Sequence, residues 1–98
     1  MSAVLLGYYQ AIEESSRMML DAAKEEDWDR VVRHEGTCAV LIEQLRFSAR
    51  TEELDAKARV QKTHIMQRIL SNDAQIRHLS EPWLAHCAQK LDRPQLLH

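Results

Sequence analysis

A chain of ninety-eight residues with only two glycines, Gly7 and Gly36, and two prolines, Pro82 and Pro94, has few places to turn. Sheet proteins turn about every ten residues and use these residue types to do so. The sequence is rich instead in Ala, Leu, Glu, Gln, Arg and Met, which lose little rotamer freedom on entering a helix. The expected fold class is all-α. One domain over residues 1–98 is expected, because so short a chain buries only roughly two-thirds of its unfolded surface, enough for a single core.

Apolar residues spaced by alternating threes and fours predict three helices, at about 3–24, 28–47 and 52–90. In the first, Leu5, Tyr8, Ile12, Ser15, Met19 and Ala22 share a face, and the small Ser15 and Ser16 admit a neighbour closely. Asp27 is a good N-cap for the second. The short turn before it makes the first two helices antiparallel neighbours.

Trp28, Val31, Glu35, Cys38, Ile42 and Leu45 keep the rhythm in the second helix, and Val32, Ala39 and Leu41 widen the stripe. This helix is therefore expected to pack on both sides. Gly36 costs about 1 kcal/mol against alanine inside a helix, so close approach of another backbone is its expected use. Glu26–Arg30, Asp29–Arg33, Glu53–Lys57 and Asp55–Arg59 have the spacing of supporting ion pairs.

Thr51 is the expected cap of the third helix, with Glu52 and Glu53 in its first turn. Leu54, Ala58, Gln61, Ile65, Ile69, Asn72, Ile76 and Leu79 then fall on one face, and Trp83, Cys87 and Leu91 continue the phase beyond Pro82. Either the helix bends at Pro82 and runs on to about Lys90, or Ser80 caps a short fourth helix; the bent helix is favoured. Gln95 to His98 reads as a tail.

The three helices do not match in length. Two helices of about twenty residues are each ~30 Å long, whereas one from Thr51 to Lys90 is ~60 Å. The far half of the third helix, with Ile76, Leu79, Trp83, Leu84 and Leu91, needs another surface.

Charge excludes several functions. The net charge of −2 comes from interspersed acids and bases, so no basic stripe offers itself to nucleic acid phosphates. No apolar run approaches the ~20 residues that cross a bilayer. Met1 to Ile12 lacks the features of a secretory signal, and Cys38 and Cys87 are expected as reduced core thiols in a cytosol.

Chemistry-bearing residues are sparse. His34 and Cys38 are four apart, a metal-ligand spacing, but no second pair completes a tetrahedral site. His64, His78 and His86 are scattered, and no orienting group or phosphate-cradling loop accompanies a Cys–His pair. No catalytic residue, metal or cofactor is expected. Trp28 is expected in the core, Glu35 at an edge, and Trp83 as readily on a contact surface as in the core.

Trp28-Asp29-Arg30-Val31-Val32-Arg33-His34-Glu35, followed by Leu41-Ile42-Glu43, resembles the Trp-Asp…Glu…Ile-Glu pattern of the flagellar export chaperone FliT family. Ile69-Leu70-Ser71-Asn72-Asp73 is similar to an aliphatic-Leu-x-Asn-acid segment at the corresponding place in that family. The resemblance covers about residues 5–80. It implies a cytoplasmic bundle of long antiparallel helices that binds the helical C-terminal part of the filament-capping protein. It also implies contact with the export machinery, including its ATPase complex, and in some bacteria restraint of the flagellar master transcription regulator. The chain departs from the family at Pro82, where the third helix usually continues, and its C-terminal segment is short, so a regulatory fourth helix is not expected.

Together these readings predict a non-catalytic export chaperone that holds an amphipathic client helix in an apolar groove. The expected anchors are Ile69, Ile76, Leu79 and Trp83, with Arg68 and Arg77 on the rim. The rival reading is a structural homodimer whose long helices bury each other, with no client.

Overall fold

The described residues form three helices: α1 (Ser2–Lys24), α2 (Trp28–Ser48) and α3 (Ala56–Asp92). The computed structural model describes the backbone of residues 2–92 and the side chains of residues 4–82, and no strand occurs among them.

A tight turn joins α1 to α2. Glu26 adopts the left-handed conformation, φ 58°. Its amide donates to the Ala23 carbonyl at 3.0 Å, and the Asp27 amide reaches back to Ala22 at 2.9 Å. This pair of bonds is the Schellman arrangement, which satisfies the last free carbonyls of a helix. Asp27 then starts α2, its carboxylate accepting from the Arg30 amide at 3.2 Å. Arg30 pairs with Glu25 at 2.9 Å and Asp27 at 3.8 Å rather than with Glu26, because the turn carries Glu26 off the helical path.

The α3 boundary differs from the expectation. Asp55, not Thr51, caps the helix: its carboxylate accepts from the Ala58 amide at 2.8 Å, and α3 starts at Ala56. Thr51 instead donates its amide to the Ser48 carbonyl at 3.3 Å and lies in the turn that follows α2. Downstream, α3 runs through Pro82 to Asp92 without a break that would separate a fourth helix. Side chains from Trp83 onward, including Cys87, and the tail at 93–98 lie outside the described residues.

Contacts from α1 to α3 keep the same order along both helices. Lys62 lies over the Tyr9 ring, Arg68 pairs with Glu13, Asn72 donates to Ser16, and Ile76 packs with Leu20 and Ala23. The two helices are therefore parallel neighbours, with α2 running antiparallel to both. The Ser16–Asn72 offset places the end of α1 beside residue 80, so about twelve residues of α3, ~18 Å, extend past it.

α1 is the central helix. It packs on both α2 and α3, while no Cα of α2 comes within 8 Å of one in α3. Leu5, Ile12, Ser15, Ser16, Leu20, Ala22 and Ala23 are buried on it, against Ala58, Ile65 and Ile76 on α3 and none on α2. This reverses the expectation that α2 packs on both sides: Val32 is 63% exposed and Ala39 is also exposed. Gly36 likewise faces open space, with nothing within 4 Å of where a Cβ would stand.

The serines tie the layers together. Ser15 donates to the His34 carbonyl of α2 at 3.3 Å, and Ser16 accepts from Asn72 of α3 at 3.0 Å while donating to the Glu13 carbonyl. Their small side chains sit at the two contact faces of α1 with their polar atoms satisfied. Trp28 is half-buried against the Leu20, Ala23 and Ile76 cluster, so it packs in the core as its phase suggests.

Candidate protein-binding groove

Because α2 and α3 both lean on α1 but not on each other, a trough opens between them. Its floor is α1, through Ile12, Ser16 and Met19. Glu35, Cys38 and Ile42 form the α2 wall. Ile69, Leu70, Asp73 and Ile76 form the α3 wall, and the space between the walls is ≈ 240 Å³. Ile42 is 37% exposed and Leu70 60% exposed. Exposed apolar side chains lining one concave surface are the usual mark of a binding site, whereas scattered ones are not.

The six residues singled out from the sequence divide among different places. Ile69 and Ile76 line the trough, Ile69 half-buried and Ile76 buried. Arg77 lies beside it, its Nε donating to Asp73 at 3.0 Å. Leu79 lines a separate depression of ≈ 370 Å³ with Lys24, Ser71 and His78. Ser71 and His78 follow the trough residues Ile69 and Ile76 by two positions, more than half a turn of helix, so that depression lies on the other flank of α3. Arg68 clasps Glu13 with both ends of its guanidinium, at 2.6 and 3.2 Å. Trp83 belongs to the overhanging part of α3, and its side chain lies outside the described residues.

Hydrogen bonding to Glu13 and Asp73 holds the Arg68 and Arg77 guanidinium groups above their ordinary range. Both are cations at any physiological pH. Each is already engaged within the chain.

Several trough residues were hidden by their phase. Cys38 and Ile42 share a helical face with Trp28 and Val31, and the sequence places all of them in the core. In the folded chain Cys38 is a half-buried free thiol on the trough wall. His34 turns its carbonyl to Ser15, and no group of three His, Cys, Asp or Glu among the described residues is arranged to hold a metal ion. Among them, too, no helix is long and apolar enough to cross a membrane.

A family model described as flagellar protein FliT matches residues 6–95, a stretch that takes in the trough and nearly all of the three helices. The chain belongs to the FliT family. The crystal structure of flagellar protein FliT from Bordetella bronchiseptica shares the fold, with a TM-score of 0.74 at 39% identity, over 86% of this chain and 95% of that one. Flagellar protein FliT of Photorhabdus laumondii subsp. laumondii is 35% identical over 75 residues, which are 76% of this chain. The match spans only 60% of that relative's length. The all-helical FliT architecture and the membership that the Trp28–Glu35 and Ile69–Asp73 segments suggested are thus both established.

Proposed function

We propose that this FliT-family chain is a cytoplasmic, non-catalytic flagellar export chaperone. It binds the C-terminal helical region of the filament-capping protein and keeps that client soluble for secretion. The observation that carries this reading is the trough: an apolar channel running along the helices, open to solvent, with α1 as its floor. A client's amphipathic helix fits such a channel by burying its apolar stripe, the helix-in-groove mode of recognition. Ile69 and Ile76 anchor it, and Arg77 stands at the rim. A client long enough to follow α3 past the end of α1 also meets the overhang that carries Trp83, and one that wraps around α3 there meets Leu79 on the other flank, the side of Arg68. The same surface serves contacts with the export ATPase complex and, where it applies, the flagellar transcription regulator. No cofactor takes part.

The test is calorimetry with the C-terminal helical segment of the capping protein from the same organism. Ile69→Asp places a charge in the trough wall at a half-buried position and should weaken binding thirtyfold or more, the scale of a hot spot worth about 2 kcal/mol. Its melting curve reports whether the fold survives. Unchanged affinity in a folded Ile69→Asp protein refutes the trough.

A second reading rests on a different observation. α2 has no buried residue, and Val32, Val40 and Phe47 are 63%, 56% and 72% exposed. A homodimer would cover that face. The solution mass of the protein alone separates the two: a stable dimer that ignores the client segment favours the structural reading.

A further inference from the structure

The trough is mostly apolar, and Ser16 in its floor is already hydrogen-bonded to Asn72 and the Glu13 carbonyl. It carries two carboxylates, Glu35 on the α2 wall and Asp73 on the α3 wall. They are not equivalent. Asp73 is neutralised by Arg77, one turn along its own helix. The Glu35 side chain makes no hydrogen bond or ion pair among the described residues, and it is exposed. Arg33, the nearest arginine in sequence, is exposed and lies two residues away, more than half a turn around α2, where side chains do not face each other. Arg30 is engaged with Glu25 and Asp27, and Arg46 with Glu43. In the free chain water solvates the Glu35 carboxylate, which costs nothing. A helix laid in the trough strips that water away, and an ionised carboxylate buried without a partner is strongly unfavourable. No cation among the described residues pairs with it, so an occupant that supplies one is favoured.

Resting on the client-binding reading above, we infer that the trough selects an amphipathic helix carrying a lysine or arginine within its apolar stripe, and that Glu35 is the residue that reads it. The apolar walls supply contact area that any amphipathic helix can use. Glu35 supplies discrimination, because a helix with an apolar or acidic residue at that position leaves the carboxylate dry and unpaired. It also fixes register: a slide of one helical turn moves the cation ~5.4 Å away from the carboxylate.

Calorimetry with the C-terminal helical segment of the capping protein tests this with two variants, Glu35→Gln and Glu35→Lys. Both change an exposed side chain, so their melting curves should match the parent's. Glu35→Gln should weaken binding about tenfold or more, as for a charge pair that loses one member on desolvation, and should flatten the dependence of affinity on salt. Glu35→Lys should lose binding further. A client segment in which the paired lysine or arginine is changed to glutamate should bind Glu35→Lys better than it binds the parent, and scanning the segment's basic residues one at a time identifies which one. If the parent binds, Ile69→Asp does not, and Glu35→Gln binds as tightly as the parent, the trough holds the client but Glu35 does not read it, and the inference is overturned. The same follows if no charge reversal in the client rescues Glu35→Lys. A parent that does not bind at all overturns the client reading together with this one.

Discussion

Glu26 occupies the one described non-glycine position with positive φ, at 58°, and Glu26→Gly should stabilise the protein. In that conformation the Cβ of an L-residue crowds the following carbonyl, at a cost of roughly 1–2 kcal/mol. Glycine has no Cβ and escapes this strain, but it has more freedom to lose on folding, which returns about 0.5–1 kcal/mol. The net gain expected is therefore about 0.5–1 kcal/mol, and the hydrogen bonds from the Glu26 and Asp27 amides survive because they are made by backbone. In a domain of this size each kcal/mol moves the melting midpoint by about 4–8 °C, so a rise of roughly 2–8 °C should be seen by circular dichroism. One competing cause must be separated. Glu26 follows the C-terminal end of α1, where a carboxylate is disfavoured by the helix dipole by about 0.3–1 kcal/mol. Glu26→Ala removes that charge but keeps the crowded Cβ, so Glu26→Gly must melt above Glu26→Ala as well as above the parent. If the glycine variant melts at or below the alanine variant, the strain argument is refuted.

Other substitutions check the remaining structure. Gly36 lies inside α2 with nothing near its missing Cβ, so Gly36→Ala should raise stability by up to about 1 kcal/mol in a urea titration; a loss of stability would restore the close backbone approach that its position first suggested. Ile65 is 3% exposed where α3 meets α1, and Ile65→Ala should cost about 2–5 kcal/mol. That is a large share of what a small domain possesses, so the variant should be mostly unfolded at low urea, and an unchanged midpoint would mean that α3 is not docked there.

The helices themselves were legible in the sequence because their causes are local. Residue spacing marked where α1 and α2 run, and Asp27 marked where one ends and the other begins, since a carboxylate before a helix captures free amides whatever else the chain does. The start of α3 was harder because Thr51 and Asp55 both qualify as caps by type; the folded chain uses Asp55, and Thr51 sits in the turn after α2. Membership in the FliT family also showed in short segments, Trp28–Glu35 and Ile69–Asp73. Placement was another matter. Spacing says that Leu5, Ile12 and Ser15 share a face and that Cys38 and Ile42 share another, but not which helix meets which face. Only the tertiary structure put α1 in the middle, buried Ser15 against α2 and Ser16 against α3, and left Ile42 and Leu70 looking into an open trough. The reason is physical: an amphipathic stripe reports that burial is favourable without naming the partner, and with three helices around no common centre, one stripe goes uncovered until something else lies in it.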